Sequence, residues 1–462
     1  MLCISLNRAW RCLALVMLTA LIALPAVAHD ESKNEDGACP KANTARLLGT
    51  WGGLRPRLEE AGVRLEIKDQ NEYWGNMEGG LRRGSVYAAL TTMTLAIDSK
   101  QAFGFEGMCL FASAFQMRGR GPTPNLHGAL QPVSNIEATR ATRLFELWAE
   151  QAIPDTGLSI RLGKGAASGE FMLAEDYGGL FLNSSFGFPA SAAIGLPSGG
   201  PNYPLSTPFA RLKWQRNEHL TILAGIYGGD PAGPGDGDPQ LRDHSGTNLR
   251  FSNGMLAVGE IQIRPFEGES KYPGVYKIGG WYHNGRFADQ AFDRSGLSLF
   301  DPLSDGVARK HRGNYAVYGV LEQMIMPATN PVGEAEGQGL GIFAMVSVGP
   351  GDRNLVDVSA FGGLHWKGLL HPNGEDRLGI AVAYVGISGR ARRMSQDAVY
   401  YTGFGQPFRG GETVLEATYD FPVKPGWNIQ PSLQHIINPG AAPGERQLRN
   451  VTVFGVRNTI NF

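Results

Sequence analysis

From Val63 to the end of the chain, apolar residues recur at every second position. Val63, Leu65 and Ile67 alternate with Arg64, Glu66 and Lys68. Leu158, Ile160 and Leu162 alternate with Ser159, Arg161 and Gly163. Thr413, Leu415, Ala417 and Tyr419 alternate with Glu412, Val414, Glu416 and Thr418. A period of two puts successive side chains on opposite faces of an extended strand. Each strand therefore has one apolar and one polar face, and the sheet is apolar on one side only. Sixteen such segments are predicted, near 63–74, 86–97, 108–117, 144–153, 158–164, 208–215, 219–227 and 250–263, then 275–283, 314–326, 340–348, 356–366, 378–387, 412–421, 428–436 and 450–462.

The connections alternate in length. Residues 154–157 and 216–218 are tight turns, and 165–207 between them is a long stretch rich in Gly, Pro and Ser. Other long loops are 118–143, 228–249, 284–313 and 388–411. Two connections depart from the pattern: 327–339 is long for the short rim, and 349–355 is short for the long rim. Short turns on one rim and long loops on the other belong to a barrel that spans an outer membrane.

Composition narrows the class further. Glycine makes up 63 of 462 residues, or 14%, about twice the usual share of about 7%. It has no period of three, which excludes a collagen-like chain. Charged residues are 18%, against about 25% in soluble domains. Lys+Arg 42 against Asp+Glu 43 excludes a nucleic-acid binder recognised by charge. Arg8 and Arg11, an apolar stretch over 12–23 and Ala26-Val27-Ala28 predict an export signal over 1–28. No later run has the ~18 apolar residues of a membrane helix. Residues 29–46 read as a flexible polar tail, and 47–462 as the barrel domain. Leu54, Leu58 and Ala61 share one face of a short helix, and Gly62 stands where its C-terminal cap belongs. Cys39 in the tail and Cys109 at a strand start are expected to remain unpaired, since nothing in their positions sets a bridge geometry.

The final strand is the sharpest local feature. Phe454, Val456, Ile460 and Phe462 share one face, broken only by Asn458. Arg457, Thr459 and Asn461 share the other. A terminal Phe on such a strand looks like the targeting signal read by outer-membrane assembly machinery. Placing the tight turns at the periplasm puts the N-terminal helix and Phe462 there too, which requires an even strand number. The prediction is an all-β fold: a transmembrane antiparallel β-barrel of about 16 strands with a short N-terminal periplasmic helix.

Five blocks in order add a resemblance. They are residues 48–55 (LGTWGGLR), 75–80 (GNMEGG), 144–151 (LFELWAEQ), 273–282 (PGVYKIGGWY) and 430–440 (QPSLQHIINPG). Together with the Phe ending, they resemble the carbohydrate-selective porins, the OprB-like family, from about Leu48 to Phe462. The resemblance implies a channel in the bacterial outer membrane that passes monosaccharides such as glucose by passive diffusion past a saturable lumen site. Implied partners are monosaccharides, outer-membrane lipid and the barrel assembly machinery through Phe462, with the barrel a monomer or a trimer. No cofactor is expected. A general diffusion porin for other small polar solutes is the alternative, and a barrel-embedded hydrolase a more distant one. No Gly-x-Ser-x-Gly, His-Glu-x-x-His or Walker motif occurs.

A sugar offers hydroxyls, which suit charged and amide side chains, and an apolar ring face, which suits an aromatic plate. Arg118 and Arg120 end the third strand, and Glu137 lies at the far end of the following loop. By resemblance, this arginine and glutamate group is where the family narrows its channel. Its structural alternative is a loop base braced by ion pairs. Glu146 and Trp148 lie on the polar face of strand 144–153, and Trp281 and His283 on that of strand 275–283. Either Trp stacks on the sugar or packs beneath an infolded loop. Glu72, with Glu66 and Trp74, lines the first strand, as specific contact or as plain pore-wall polarity. No metal is expected: His283 has no second His or Cys at ligand spacing, and Asp230, Asp236 and Asp238 lack the EF-hand order.

Overall fold

The computed structural model describes residues 39–40, 45–251, 253–266, 271–333, 335–440 and 447–462. The predicted export signal, and most of the predicted tail, lie outside them. Sixteen strands occur among the described residues. They are β1 (Val63–Glu78), β2 (Gly84–Asp98), β3 (Met108–Gly119), β4 (Ala141–Ile153), β5 (Leu158–Gly165), β6 (Thr207–Gln215), β7 (Leu220–Gly228) and β8 (Met255–Ile263). The second half comprises β9 (Gly274–Asp293), β10 (Ala308–Pro327), β11 (Gly339–Val348), β12 (Val356–Lys367), β13 (Arg377–Ile387), β14 (Gly411–Lys424), β15 (Trp427–Ile437) and β16 (Val451–Asn461). Each strand pairs with the next, and β16 closes antiparallel on β1, with Lys68 opposite Asn461 and Glu72 opposite Arg457. Closure leaves no edge strand to be satisfied by water or by another chain.

The alternation sorts the two faces. On β10, Val317 is 64% exposed and its neighbour Tyr318 3%. Ile278, Val346, Leu364, Ile380, Leu415 and Leu433 are likewise exposed on the outside. Glu260, Glu322, Glu416 and Arg457 are buried on the inside. The apolar face is thus the outer one, which suits hydrocarbon and not water. No described helix is long and apolar enough to cross a membrane.

Two long loops fold into the lumen. Residues 166–206 carry Phe171, Phe181, Leu182 and Phe186, all essentially fully buried. Phe181 packs 5.3 Å from Phe343 of β11, and Phe186 5.9 Å from Phe361 of β12. Residues 120–140 bring in Leu126 and Val133, also buried. The lumen therefore has an apolar core beneath its loops.

The short helix α1 (Leu54–Glu60) forms where expected. Gly62 beyond it has φ +74°, and a Cβ there would sit 2.8 Å from the Asp98 carbonyl oxygen. The turn accepts only glycine. Arg55 of α1 donates to the Phe462 carbonyl oxygen at 2.6 Å, tying the helix to the closing strand.

Three expectations need correction. Loop 284–313 shrinks to 294–307, because β9 and β10 extend as a hairpin beyond the apolar belt. There the buried face mixes Phe287 and Ala291 with Asp289 and Asp293, so the apolar alternation is lost without loss of the strand. Loop 388–411 contains a helix, α2 (Gly389–Thr402), capped by the Ser388 hydroxyl and by Gly403 at φ 72°. Cys39 and Cys109 form a disulfide, with their Cα atoms 5.1 Å apart. Arg64 donates to the Pro40 carbonyl oxygen at 2.7 Å, and Arg46 to Glu59 and Glu66 at 2.7 and 3.3 Å. These bonds bring the Cys39 segment to the buried Cys109.

Candidate functional site

Carboxylates on the barrel wall hold the infolded loops by their main chain. Glu416 on β14 accepts from the Leu182 and Asn183 N–H groups, both at 2.9 Å, and from the Ser432 hydroxyl at 2.8 Å. Glu412 accepts from Leu130 and Gln131 N–H at 2.8 Å and from Gly440 N–H at 2.7 Å. Glu322 accepts from Tyr177 N–H at 2.8 Å, and Glu260 from Met172 N–H at 2.9 Å. A loop inside a barrel has no ladder to satisfy its N–H groups. Carboxylate acceptors supply strong bonds in their place.

Two chambers remain around these loops. The outer one, about 570 Å³, is lined by Asn135, Glu137, Ser184, Ser198, Tyr203 and Phe188 among others. The inner one, about 340 Å³, opens on the short-turn side and is lined by Arg46, Lys68, Gln70, Arg377, Asp420 and Arg457 among others. One residue of each lining touches the other: Arg457 of the inner chamber donates through Nη2 to Asn135 Oδ1 of the outer one at 2.5 Å. Behind this neck Glu72 is fully buried. It accepts from Arg457 Nε at 2.6 Å, Trp74 Nε1 at 2.7 Å and Ser134 Oγ at 2.5 Å. One guanidinium and one carboxylate cancel there, so the neck presents donors with little net field.

The residues singled out from sequence are dispersed. Glu72 is in the wall of the neck. Glu137 lines the outer chamber and accepts from Thr123 N–H at 3.0 Å. Arg120 is exposed at the foot of that loop, next to Gly121, which packs on the Glu137 carboxylate. Arg118 does not belong to the lumen. Its strand neighbour Met117 is buried inside, whereas Arg118 lies on the outer wall, bonded to Asp69 at 2.7 Å and Thr91 at 3.1 Å. The Arg118, Arg120 and Glu137 cluster is therefore not assembled.

The aromatic candidates face inward but are covered. Trp148 is sandwiched between the Phe111 ring at 4.6 Å and the Arg161 guanidinium at 3.9 Å. Trp281 is buried in the same apolar cluster. Neither offers a free ring face to a sugar. Glu146 accepts from Ser113 Oγ at 3.1 Å at the wall. His283 is buried, with Nε2 on the Gly229 carbonyl oxygen at 3.1 Å and Nδ1 accepting from Gly285 N–H at 3.0 Å. Both ring nitrogens are occupied, so the ring serves packing. Among the described residues no group of three or more His, Cys, Asp or Glu is placed to hold a metal ion.

Sequence reading missed Arg457, Asn135 and Lys68 as a group. Arg457 shows as polar-faced in the sequence, but only barrel closure puts it opposite Glu72, 385 residues away.

Glu137 gives the loop a pH dependence. Burial pushes its carboxyl up to about 7, against the opposing Thr123 hydrogen bonds. A carboxyl raised by folding favours the docked loop fully below its ordinary pKa, and loses that contribution as pH rises through the raised value. Amide exchange over residues 120–140 is thus expected to quicken between about pH 4.5 and 7 beyond the intrinsic chemical rate. Glu137→Gln should remove the excess. An excess that persists in that variant would refute the assignment.

Comparison with known proteins agrees with the barrel fold. Residues 82–462 match the family model described as carbohydrate-selective porin, OprB family. Porin B of Pseudomonas aeruginosa is 23% identical over 438 residues, covering 90% of this chain and 91% of the relative. A high-pH structure of Pseudomonas putida OprB superposes with a TM-score of 0.80 at 20% identity, covering 91% of this chain and 99% of that one. A low-pH structure of the same protein gives 0.54 at 15% identity, covering 91% and 100%. A match over so much of the barrel, closing strand included, settles the kinship: the chain belongs to the carbohydrate-selective porin family OprB.

Proposed function

We propose that the protein passes monosaccharides such as glucose by passive diffusion and binds them weakly at the neck between its two chambers. It is a porin of the bacterial outer membrane. The observation that carries the reading is the neck itself. Arg457 borders the inner chamber and Asn135 the outer one, bonded to each other, while Glu72 cancels the guanidinium charge. Such a constriction binds neutral hydroxyls without trapping an ion, and weak binding lets the cargo leave. The hydroxyls of Ser184, Ser198 and Tyr203, the Glu137 carboxylate and the Phe188 ring give the outer chamber both kinds of sugar contact. The outer apolar face is the surface for membrane lipid, and the strand ending in Phe462 is the part offered to the assembly machinery.

Liposome swelling tests the reading. Glucose should enter much faster than a disaccharide, and added glucose should block ion current in planar bilayers saturably. Rates that follow solute size alone, with no saturable block, would make the protein a general diffusion porin.

A further inference from the structure

Resting on the channel reading above, we propose that the inner chamber is a site for a small polyhydroxylated monocarboxylate, a sugar acid, with Lys68 holding its carboxylate. Four cations line this chamber: Arg46, Lys68, Arg377 and Arg457. Three have partners. Arg46 pairs with Glu59 at 2.7 Å and Glu66 at 3.3 Å, Arg377 with Asp420 at 2.5 Å, and Arg457 with Glu72 at 2.5 Å. The Lys68 ammonium has no ion pair and no hydrogen bond among the described residues. It is exposed to the chamber, one turn of the alternation from the neck wall residues Gln70 and Glu72.

The site's chemistry follows from that difference. The four cations and the carboxylates Glu59, Glu66, Asp420 and Glu72 balance as a group, but Lys68 alone is touched by no carboxylate, so a ligand with a single carboxylate has one free ammonium to meet and a doubly charged phosphate ester has no second. A lysine is a compact point charge with three donors. Enclosed by protein on a narrow lumen, it attracts an anion more strongly than it would in bulk water. Around it stand neutral groups for hydroxyls: Gln70, Thr92, Thr94, Thr459 and Asn461. Their side chains come from β1, β2 and β16, one continuous patch of wall across the closing seam. A cargo made of one carboxylate and several hydroxyls matches the whole patch, whereas chloride would use Lys68 alone.

The test compares gluconate, glucose and chloride flux in liposomes holding the full-length protein. Lys68→Gln should lower the gluconate-to-glucose rate ratio about tenfold, the size expected for losing one hydrogen bond to a charged group. Lys68→Arg, which keeps the charge, should recover most of it. A gluconate-to-glucose ratio unchanged in Lys68→Gln overturns the proposal. So does a chloride rate that falls by the same factor as gluconate, because it would mean simple attraction of any anion. Glucose excluded from the unaltered protein would instead refute the sugar-channel reading, so the two failures are told apart. Both variants should show the heat-dependent gel shift of a closed barrel, as expected for a side chain that braces nothing.

Discussion

Arg457→Ala should lower the stability of the barrel and enlarge its conductance together. The Arg457 and Glu72 side chains are 7% and 0% exposed. Removing one member of a buried pair leaves the other charge without compensation, which costs about 3–5 kcal/mol. The low end applies, because Arg457 borders the inner chamber and water can approach Glu72 once it is gone. At the same time the guanidinium leaves Asn135, and the two chambers merge. The temperature at which the folded gel band disappears should fall, open-channel ion current should rise, and the saturable sugar block should weaken. The double variant Glu72→Leu/Arg457→Leu should regain stability, because no charge is left stranded, but not the sugar block. If Arg457→Ala changes neither conductance nor sugar block, the neck lies elsewhere.

The second large effect concerns the long infolded loop. Glu416→Ala takes the acceptors from two buried N–H groups, Leu182 and Asn183, and from Ser432. Each stranded buried donor costs about 1–3 kcal/mol, so the docked loop should lose about 2–6 kcal/mol. The sixteen-stranded ladder does not depend on that carboxylate, and the barrel should still close. Residues 166–206 should become open to proteolysis, and single-channel current should rise and fluctuate. Glu416→Gln retains one acceptor oxygen and should retain part of the docking. A loop that stays protease-resistant in Glu416→Ala would show that its aromatic contacts with Phe343 and Phe361 suffice.

Much of the fold was legible because membrane strands obey one rule along their length. All sixteen predicted segments correspond to strands, and β16 with its Arg457 face is read almost residue for residue. The rule fails where its physical cause stops. In residues 284–293 of β9 the buried face mixes Phe287 and Ala291 with Asp289 and Asp293, so they read as a loop. The rule also says nothing about which face is the lumen. On β3 the apolar Phe115 and Met117 face inward, because infolded loops cover them, and Arg118 is left outside with Asp69. That reversal is why the arginine placement failed. Trp148 was correctly given to the inward face, but its covering by Phe111 and Arg161 comes from two other strands. The neck and the Cys39–Cys109 bridge were illegible for a related reason: both join distant segments, and their partners become neighbours only after the sheet has curved round and closed.

The pairing of Glu72 with Arg457 also has a meaning for how the barrel shuts. A slip of one residue between β1 and β16 would turn every side chain to the wrong face, and the apolar pattern alone forbids it. A slip of two residues keeps all faces correct, so the apolar pattern cannot detect it. Such a slip would bring Glu72 opposite Gly455 or Thr459 and leave a buried carboxylate without its cation. The ion pair at the seam thus acts as a proofreading contact: it penalises the even-numbered misregistrations that hydrophobic sorting lets through, and a chain lacking it would zip shut with a wrong offset more often.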